Sequence, residues 1–154
     1  MAVAIEACRL TGLSLVAAGE GPERARLAGA AAGVQFVGRV DPARLSELRA
    51  GAVVNLVPSL IAETFGLAAT EAMAAGVPVA ASRIGALPEV VPQQRLAEPG
   101  DAASLAAAIR RILADPGAPQ RALERARKLT APDVVAPALA AVYDRAMAGV
   151  RARR

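Results

Sequence analysis

The chain has 154 residues, of which 55% are hydrophobic and 21% charged, a balance that predicts one folded domain rather than a disordered chain. Only 2% of the residues are aromatic, which argues against binding of single-stranded nucleic acid by base stacking. The formal net charge is +4, a modest positive balance that favours anionic ligands. There is no histidine and one cysteine, Cys8, so the chain itself provides no histidine catalysis, internal disulfide or cysteine-based zinc site.

Short apolar runs alternate with helical patterns along the first part of the chain. Ala2 to Arg9 has a helical pattern, so the sequence opens on a helix rather than a strand. Four apolar runs predict buried strands: Leu13–Ala18, Val34–Val37, Ala52–Val57 and Val77–Ala81. The segments between them predict helices: Pro22–Ala32, Pro42–Ala50 and Phe65–Ala75. This alternation predicts an α/β domain in which crossover helices flank a parallel sheet.

Capping residues mark several helix boundaries. Asp41 followed by Pro42 is typical of a helix start. Glycines follow the three predicted helices where C-caps belong: Gly33, Gly51 and Gly76. Asp101 starts a further helix to about Ala114, and two more helical stretches follow: Pro119–Lys128 and Pro132–Met147. We expect these C-terminal helices, residues 101–150, to pack on the sheet of a single domain that spans residues 1–154.

The segment ETFGLAATEAMAAGVPV, residues 63–79, predicts an anion site. Thr64 is a good N-cap residue, which makes the next three residues the first of a helix: Phe65, Gly66 and Leu67. Their backbone N–H groups lack partners within the helix, and the helix dipole adds positive charge there. A helix N-terminus at the carboxyl end of a parallel strand therefore favours phosphate, and Gly66 lets a ligand approach the backbone.

Two glutamates flank this helix start. Glu63 precedes it, and Glu71 lies roughly 10 Å along the helix axis from it. Carboxylates so placed can bind hydroxyl groups at two points of an extended ligand whose anionic middle rests on the helix end. The alternative is a pair of solvated glutamates. Ser59, after the strand that ends at Val57, is a further candidate.

Several motifs in order resemble one family. The segment VPSLIAETFGLAATEAMAAGVPVAASRIGALPEVV is similar to the retaining GT-B glycosyltransferases of family 4 (glycosyl transferases group 1). Their pattern has Pro-Ser, Glu, Phe-Gly, then Glu-Ala-Met-Ala, Gly, Pro-Val and a glycine turn before Pro-Glu-Val. Upstream, AAGEGPER and VQFVGRV match the same family in order. The resemblance spans roughly residues 2–114 and implies the C-terminal, donor-binding half of a GT-B fold, which is a Rossmann-like domain.

The resemblance implies a nucleotide-diphosphate sugar as the donor and a role for each matching residue. Glu63 would be catalytic, contacting the hydroxyls of the donor sugar and stabilising charge near the anomeric carbon. Glu71 would bind the ribose. The backbone of three residues would hold the sugar and diphosphate: Phe65, Gly66 and Leu67. The pocket for the base would be lined by Gly38, Arg39 and Val40. The adjacent loop would be shaped by Gly19 and Gly21.

The resemblance also implies transfer with retention of the anomeric configuration. UDP sugars are the commonest donors of the family, and GDP or ADP sugars are also allowed. The chain has no Asp-x-Asp motif, which fits a fold that needs no catalytic metal. We therefore expect no metal site and no cofactor besides the donor substrate.

The sequence departs from the family pattern at its start. The family's first strand, and an Arg and a Lys that clasp the diphosphate, have no counterpart here. That strand lies between those matching Leu13–Ala18 and Ala52–Val57, so we expect a gap or a new pairing in the sheet. Arg24, Arg26 or Arg39 could replace the clasp, although the first two are more simply interpreted as solvated charges. The acceptor-binding N-terminal half has no counterpart either, so we expect little or no transferase activity from this chain alone.

Other functions remain open. A non-catalytic nucleotide-sugar-binding module, or one subunit of a two-chain transferase whose N-terminal half is a separate partner, is the main alternative. Gly19 and Gly21, with Asp41 about twenty residues later, partly match the dinucleotide fingerprint of NAD-linked enzymes, but Arg24 stands at the third glycine. A glycoside hydrolase needs two carboxyl groups about 5–10 Å apart around one bond, which the two glutamates match poorly.

The sequence shows no membrane-spanning or export pattern. The longest uncharged run, Ala50–Ala62, is shorter than the ~20 residues of a membrane span, and the N-terminus lacks a basic-then-apolar pattern. We therefore expect a cytoplasmic protein. The scarcity of aromatic residues leads us to expect no nucleic-acid partner. The basic tail, Arg151–Arg154, could make peripheral contact with acidic lipid, but terminal charges are more often a solvated end.

Overall fold

A computed structural model describes residues 1–29 and 33–151. The α-helices are α1 Ala2–Thr11, α2 Arg24–Ala28, α3 Pro42–Ala50, α4 Leu67–Ala74, α5 Leu87–Val90, α6 Ala102–Leu113, α7 Ala118–Thr130 and α8 Pro132–Arg151. The strands are β1 Leu15–Ala18, β2 Val34–Gly38, β3 Asn55–Val57, β4 Val79–Ser82 and β5 Leu96–Ala97, with a 3₁₀ turn at Gln93–Arg95. Residues 30–32, the end of one predicted helix, and 152–154, most of the basic tail, lie outside the described residues.

Strands β3, β4 and β5 form a parallel sheet with β4 in the middle. All four residues of β4 are buried, and its alternate side chains enter two separate cores. Val79 and Ala81 pack with residues of α4, α5 and α7 on one face. Ala80 packs with residues of α1 and α6 on the other. The predicted α/β domain with helices on both faces of a parallel sheet is confirmed.

Strands β1 and β2 form a separate parallel pair, in register at Leu15 and Val34. Within residues 1–29 and 33–151, neither strand is hydrogen-bonded to the β3–β5 sheet. The expected gap between the strand ending at Ala18 and the strand ending at Val57 is therefore present. The predicted burial of β1 is wrong, because only Ala17 is buried and Val16 is 45% exposed.

Four of the predicted caps agree with the structure, and the one at Gly33 does not. The Asp41 carboxylate accepts from the Arg44 N–H at 2.8 Å, and Asp101 accepts from the Ser104 N–H at 2.9 Å. Gly51 and Gly76 follow α3 and α4 as predicted. Gly33 does not cap α2, which ends at Ala28. The Gly33 carbonyl instead accepts from the Leu15 N–H at 3.0 Å and begins the β1–β2 pairing.

The C-terminal helices pack in different ways. Helix α6 lies on β4 and β5 and also packs against α1, as expected for a helix that covers the sheet. Helix α7 packs mainly against α4, and α8 follows α7. The apolar residues of α8 are largely exposed: Val134, Val135, Leu139, Val142, Tyr143 and Met147.

A buried arginine joins the 3₁₀ turn to the loop before α7. The Arg95 side chain is 3% exposed and lies 3.4 Å from the Asp115 carboxylate, and Arg121 donates to the same carboxylate. Burial lowers the pKa of the Arg95 guanidinium. Donation by Arg121 holds the pKa of Asp115 below its ordinary value. Asp115 thus provides the charge that compensates a buried cation.

We predict that Asp115→Asn destabilises the fold at about pH 7 and much less at about pH 3. A carboxyl whose pKa is lowered in the folded state stabilises the fold above its unfolded pKa of about 4, and this stabilisation disappears as pH falls through the lower folded value. Thermal unfolding at both values of pH measures the difference. The control is Asp144→Asn on the exposed α8. Equal losses of melting temperature at the two values of pH would contradict the prediction.

The loops that follow β3 and β4 are packed against each other. The Ala86 N–H donates to the Glu63 carbonyl at 2.9 Å. Gly85 has φ +57, and a Cβ placed on it would lie 2.5 Å from the backbone N and O of Glu63. Only glycine fits there without displacing the Glu63 backbone.

Gly85→Ala is expected to destabilise the fold by about 3 kcal/mol or more, because it adds backbone strain to a steric clash with another backbone segment. The matched control is Gly76→Ala, which also has positive φ but open space around the added Cβ, and should cost about 1 kcal/mol. Urea unfolding of both variants tests this, and similar losses would show that the contact with Glu63 is unimportant.

Candidate functional site

The loop from β3 to α4 lines a cavity of about 360 Å³. Its lining is the continuous segment Ala62–Ala68, which includes four of the predicted site residues: Glu63, Phe65, Gly66 and Leu67. The cavity lies beyond the carboxyl end of a parallel strand, where open α/β sheets bind their ligands.

The N-terminus of α4 is uncapped at this cavity. The helix begins at Leu67, and Gly66, with φ +81, occupies the N-cap position. The prediction of Thr64 as the N-cap is wrong, because Thr64 and Phe65 lie in a bend of the loop and the helix begins only after the left-handed Gly66. No side chain caps α4, and among the described hydrogen bonds none uses the N–H of Leu67 or Ala68. These donors and the helix dipole make this end of the cavity favourable for an anion.

Glu63 lies in the cavity with one carboxylate oxygen bound and one available. The side chain is half-buried, and its Oε1 accepts a hydrogen bond from the Ser59 hydroxyl. In the part of the chain that the structure describes, Oε2 accepts no hydrogen bond, and it lies 3.9 Å from the position a Cβ on Gly66 would take. Glu63 can therefore accept a ligand hydroxyl through Oε2, next to the uncapped helix.

Glu71 lies on α4 but outside the cavity that contains Glu63. Its Oε2 forms an ion pair with Arg49 at 2.6 Å. Arg49 is 19% exposed and Glu71 is 53% exposed, so the pair joins the end of α3 to the outer face of α4. Sequence reasoning missed Arg49, because no local pattern links residues 22 positions apart.

A second cavity, of about 160 Å³, lies at the carboxyl end of β1. Gly19 and Gly21 line it, together with Glu20 and Arg24. Gly38 is adjacent, since the Gly19 N–H donates to its carbonyl at 2.7 Å. The structure thus groups three predicted glycines here, apart from the Glu63 cavity. Two further predicted residues line neither cavity: the exposed Arg39 and the half-buried Val40.

Two of the arginines considered as a diphosphate clasp are paired on the surface. Arg24 contacts Glu20 at 2.8 Å, and Arg26 pairs with Glu23. Their interpretation as solvated charges agrees with this geometry. Across residues 1–29 and 33–151, no group of three or more carboxylate, cysteine or histidine side chains could hold a metal ion. None of the described helices is long and apolar enough to cross a membrane.

Known proteins are similar to this chain in sequence and fold over part of their length. Glycogen synthase from Mycobacterium tuberculosis is 39% identical over 91% of this chain and 37% of the relative. Sucrose-phosphate synthase from Thermosynechococcus elongatus has a TM-score of 0.72 at 34% identity, over 95% of this chain and 43% of that one.

A structure of Anabaena Alr3699/HepE in complex with UDP has a TM-score of 0.71 at 23% identity, over 92% of this chain and 45% of that one. The likeness to that protein shows the fold alone. The chain thus spans less than half the length of each of these proteins. The family model described as Glycosyl transferases group 1 matches residues 2–115. The chain belongs to this family of GT-B glycosyltransferases and corresponds to their C-terminal domain.

Proposed function

We propose that the chain binds the nucleotide-diphosphate sugar donor of a retaining glycosyltransferase. The observation that carries the proposal is the cavity in which the available oxygen of Glu63 lies beside the uncapped N-terminus of α4. A diphosphate with a neighbouring sugar requires an anion site with a hydroxyl acceptor beside it.

In the proposed complex, the backbone N–H groups at the start of α4 bind the diphosphate. They stabilise the negative charge that develops on the leaving diphosphate as the bond between its oxygen and the anomeric carbon of the sugar breaks, with no metal ion and no further cofactor. Phe65, Gly66 and Leu67 supply the backbone of this site. Glu63 accepts a hydrogen bond from a sugar hydroxyl through Oε2, and its negative charge stabilises positive charge at the anomeric carbon.

The nucleoside would lie on α4 and at the carboxyl end of β2. Arg49 orients Glu71, whose second carboxylate oxygen accepts hydrogen bonds from the ribose hydroxyls. The base lies against the backbone of three residues: Gly38, Arg39 and Val40. Gly19 and Gly21 shape the neighbouring loop. As the nucleotide we propose UDP, which is the commonest in the family, with GDP and ADP sugars as alternatives.

Transfer also needs an acceptor site, which we assign to a further part of the enzyme. This chain covers 43% of sucrose-phosphate synthase, so the remaining half, in the same polypeptide or in a separate partner chain, would bind the acceptor. A non-catalytic module that binds nucleotide sugars is the alternative, and donor binding without transfer in the assembled protein would favour it. The cytoplasmic location stays a prediction.

Calorimetric titration with UDP, GDP, ADP and their glucose conjugates tests donor binding. We expect micromolar affinity for one nucleotide and its conjugate. Glu71→Ala should weaken both by about tenfold, because each loses a charge-assisted hydrogen bond to the ribose. Glu124→Ala, an exposed carboxylate on α7, is the control and should leave affinity unchanged. A folded chain that binds none of these six ligands would refute the proposal.

A further inference from the structure

Ser59 contacts Glu63 directly. It lies in the loop that follows β3, four residues before Glu63, and both side chains are half-buried. The Ser59 hydroxyl donates to Oε1 of Glu63, which leaves Oε2 as the oxygen that can meet a ligand. A hydroxyl that donates to a carboxylate forms one of the stronger hydrogen bonds in proteins, so Ser59 restricts the rotation of this carboxylate.

The backbone of Glu63 is held independently of Ser59. Its carbonyl accepts from the Ala86 N–H at 2.9 Å, and Gly85 packs directly against its N and O atoms. With the backbone fixed by the loop after β4, the remaining freedom of Glu63 is that of its side-chain torsions. The hydrogen bond from Ser59 removes much of that freedom and aims Oε2 along the start of α4.

We propose that Ser59 is a positioning residue, which orients Glu63 for the sugar part of the donor. The proposal rests on the proposed function. A merely structural role, in which the loop only satisfies a half-buried hydroxyl, makes a different prediction. Loss of the Ser59 hydroxyl would then lower the stability of the fold, or lower the affinities for the nucleotide and the nucleotide sugar equally. If Ser59 positions Glu63, its loss affects only the contribution of the sugar to the affinity.

Ser59→Ala and Ser59→Thr, titrated with the six ligands named above, separate these roles. For the nucleotide that binds, Ser59→Ala should weaken the glucose conjugate about tenfold and the free nucleotide less than about twofold. Ser59→Thr retains the hydroxyl and should retain most of the affinity. In a Glu63→Ala background, Ser59→Ala should cause no further loss, because it acts through Glu63. If Ser59→Ala fails to fold, Ser59→Cys replaces it, since a thiol is a weak donor of similar size.

A second measurement needs no ligand. The rate at which a water-soluble carbodiimide and an amine modify Glu63, followed by peptide mass spectrometry, should rise about threefold or more in Ser59→Ala. Modification of Glu124 in the same sample is the internal reference and should not change.

The outcomes distinguish this proposal from the proposed function. Equal losses for nucleotide and nucleotide sugar, or an unchanged modification rate of Glu63, would overturn the positioning role. If the wild-type chain binds none of the six ligands, the proposed function fails. The modification rate then decides by itself whether Ser59 positions Glu63.

Discussion

The double-sided burial of strand β4 is the constraint on which the candidate site depends. Its alternate side chains enter two cores, and its small residues, Ala80 and Ala81, let helices pack closely on both faces. Because β3 pairs with β4 in parallel, from Asn55 opposite Val79, both strands end at the same edge. The loops that follow them are therefore neighbours, and Gly85 can touch Glu63.

Glu63 is fixed before any ligand arrives. The Ala86 N–H donates to its carbonyl and the Ser59 hydroxyl donates to Oε1, while Oε2 stays available. Beside it, α4 starts at a glycine, and its first N–H groups have no hydrogen-bond partner among the described residues. Polar groups arranged in this way need little reorganisation when charge develops on a bound substrate. The backbone dipoles of α4 contribute positive potential at this point, whereas Arg24 and Arg26 pair with carboxylates on the surface.

The interruption between β1 and β3 divides the predicted site residues into groups. The residues proposed for the sugar and diphosphate line the cavity at β3, and the glycines Gly19 and Gly21 line the cavity at β1. Within the described residues no hydrogen-bonded strand joins the two sheets. The β1–β2 pair consequently has less support than the β3–β5 sheet, as the exposure of Val16 shows. A donor that uses both cavities would bridge the two sheets.

The sequence alone determined those elements of secondary structure that depend on residues close to one another in the chain. Apolar runs located four strands, and Asp41 and Asp101 located two helix starts, because a cap acts on residues three positions away. The start of α4 was misplaced by two residues, since Thr64 resembles a cap while the left-handed Gly66 ends the loop. The two-residue β5 was not predicted, because it is too short for any periodic pattern.

Motif resemblance supplied the expected roles of Glu63 and Glu71, but only the tertiary structure gave their partners. Arg49 and Gly85 each lie 22 positions from the glutamate that they contact. Ser59 lies four positions from Glu63 but in a loop, where spacing does not predict contact. These contacts exist because a parallel sheet brings the ends of distant strands to one edge, and no local property of the chain specifies which side chains meet there.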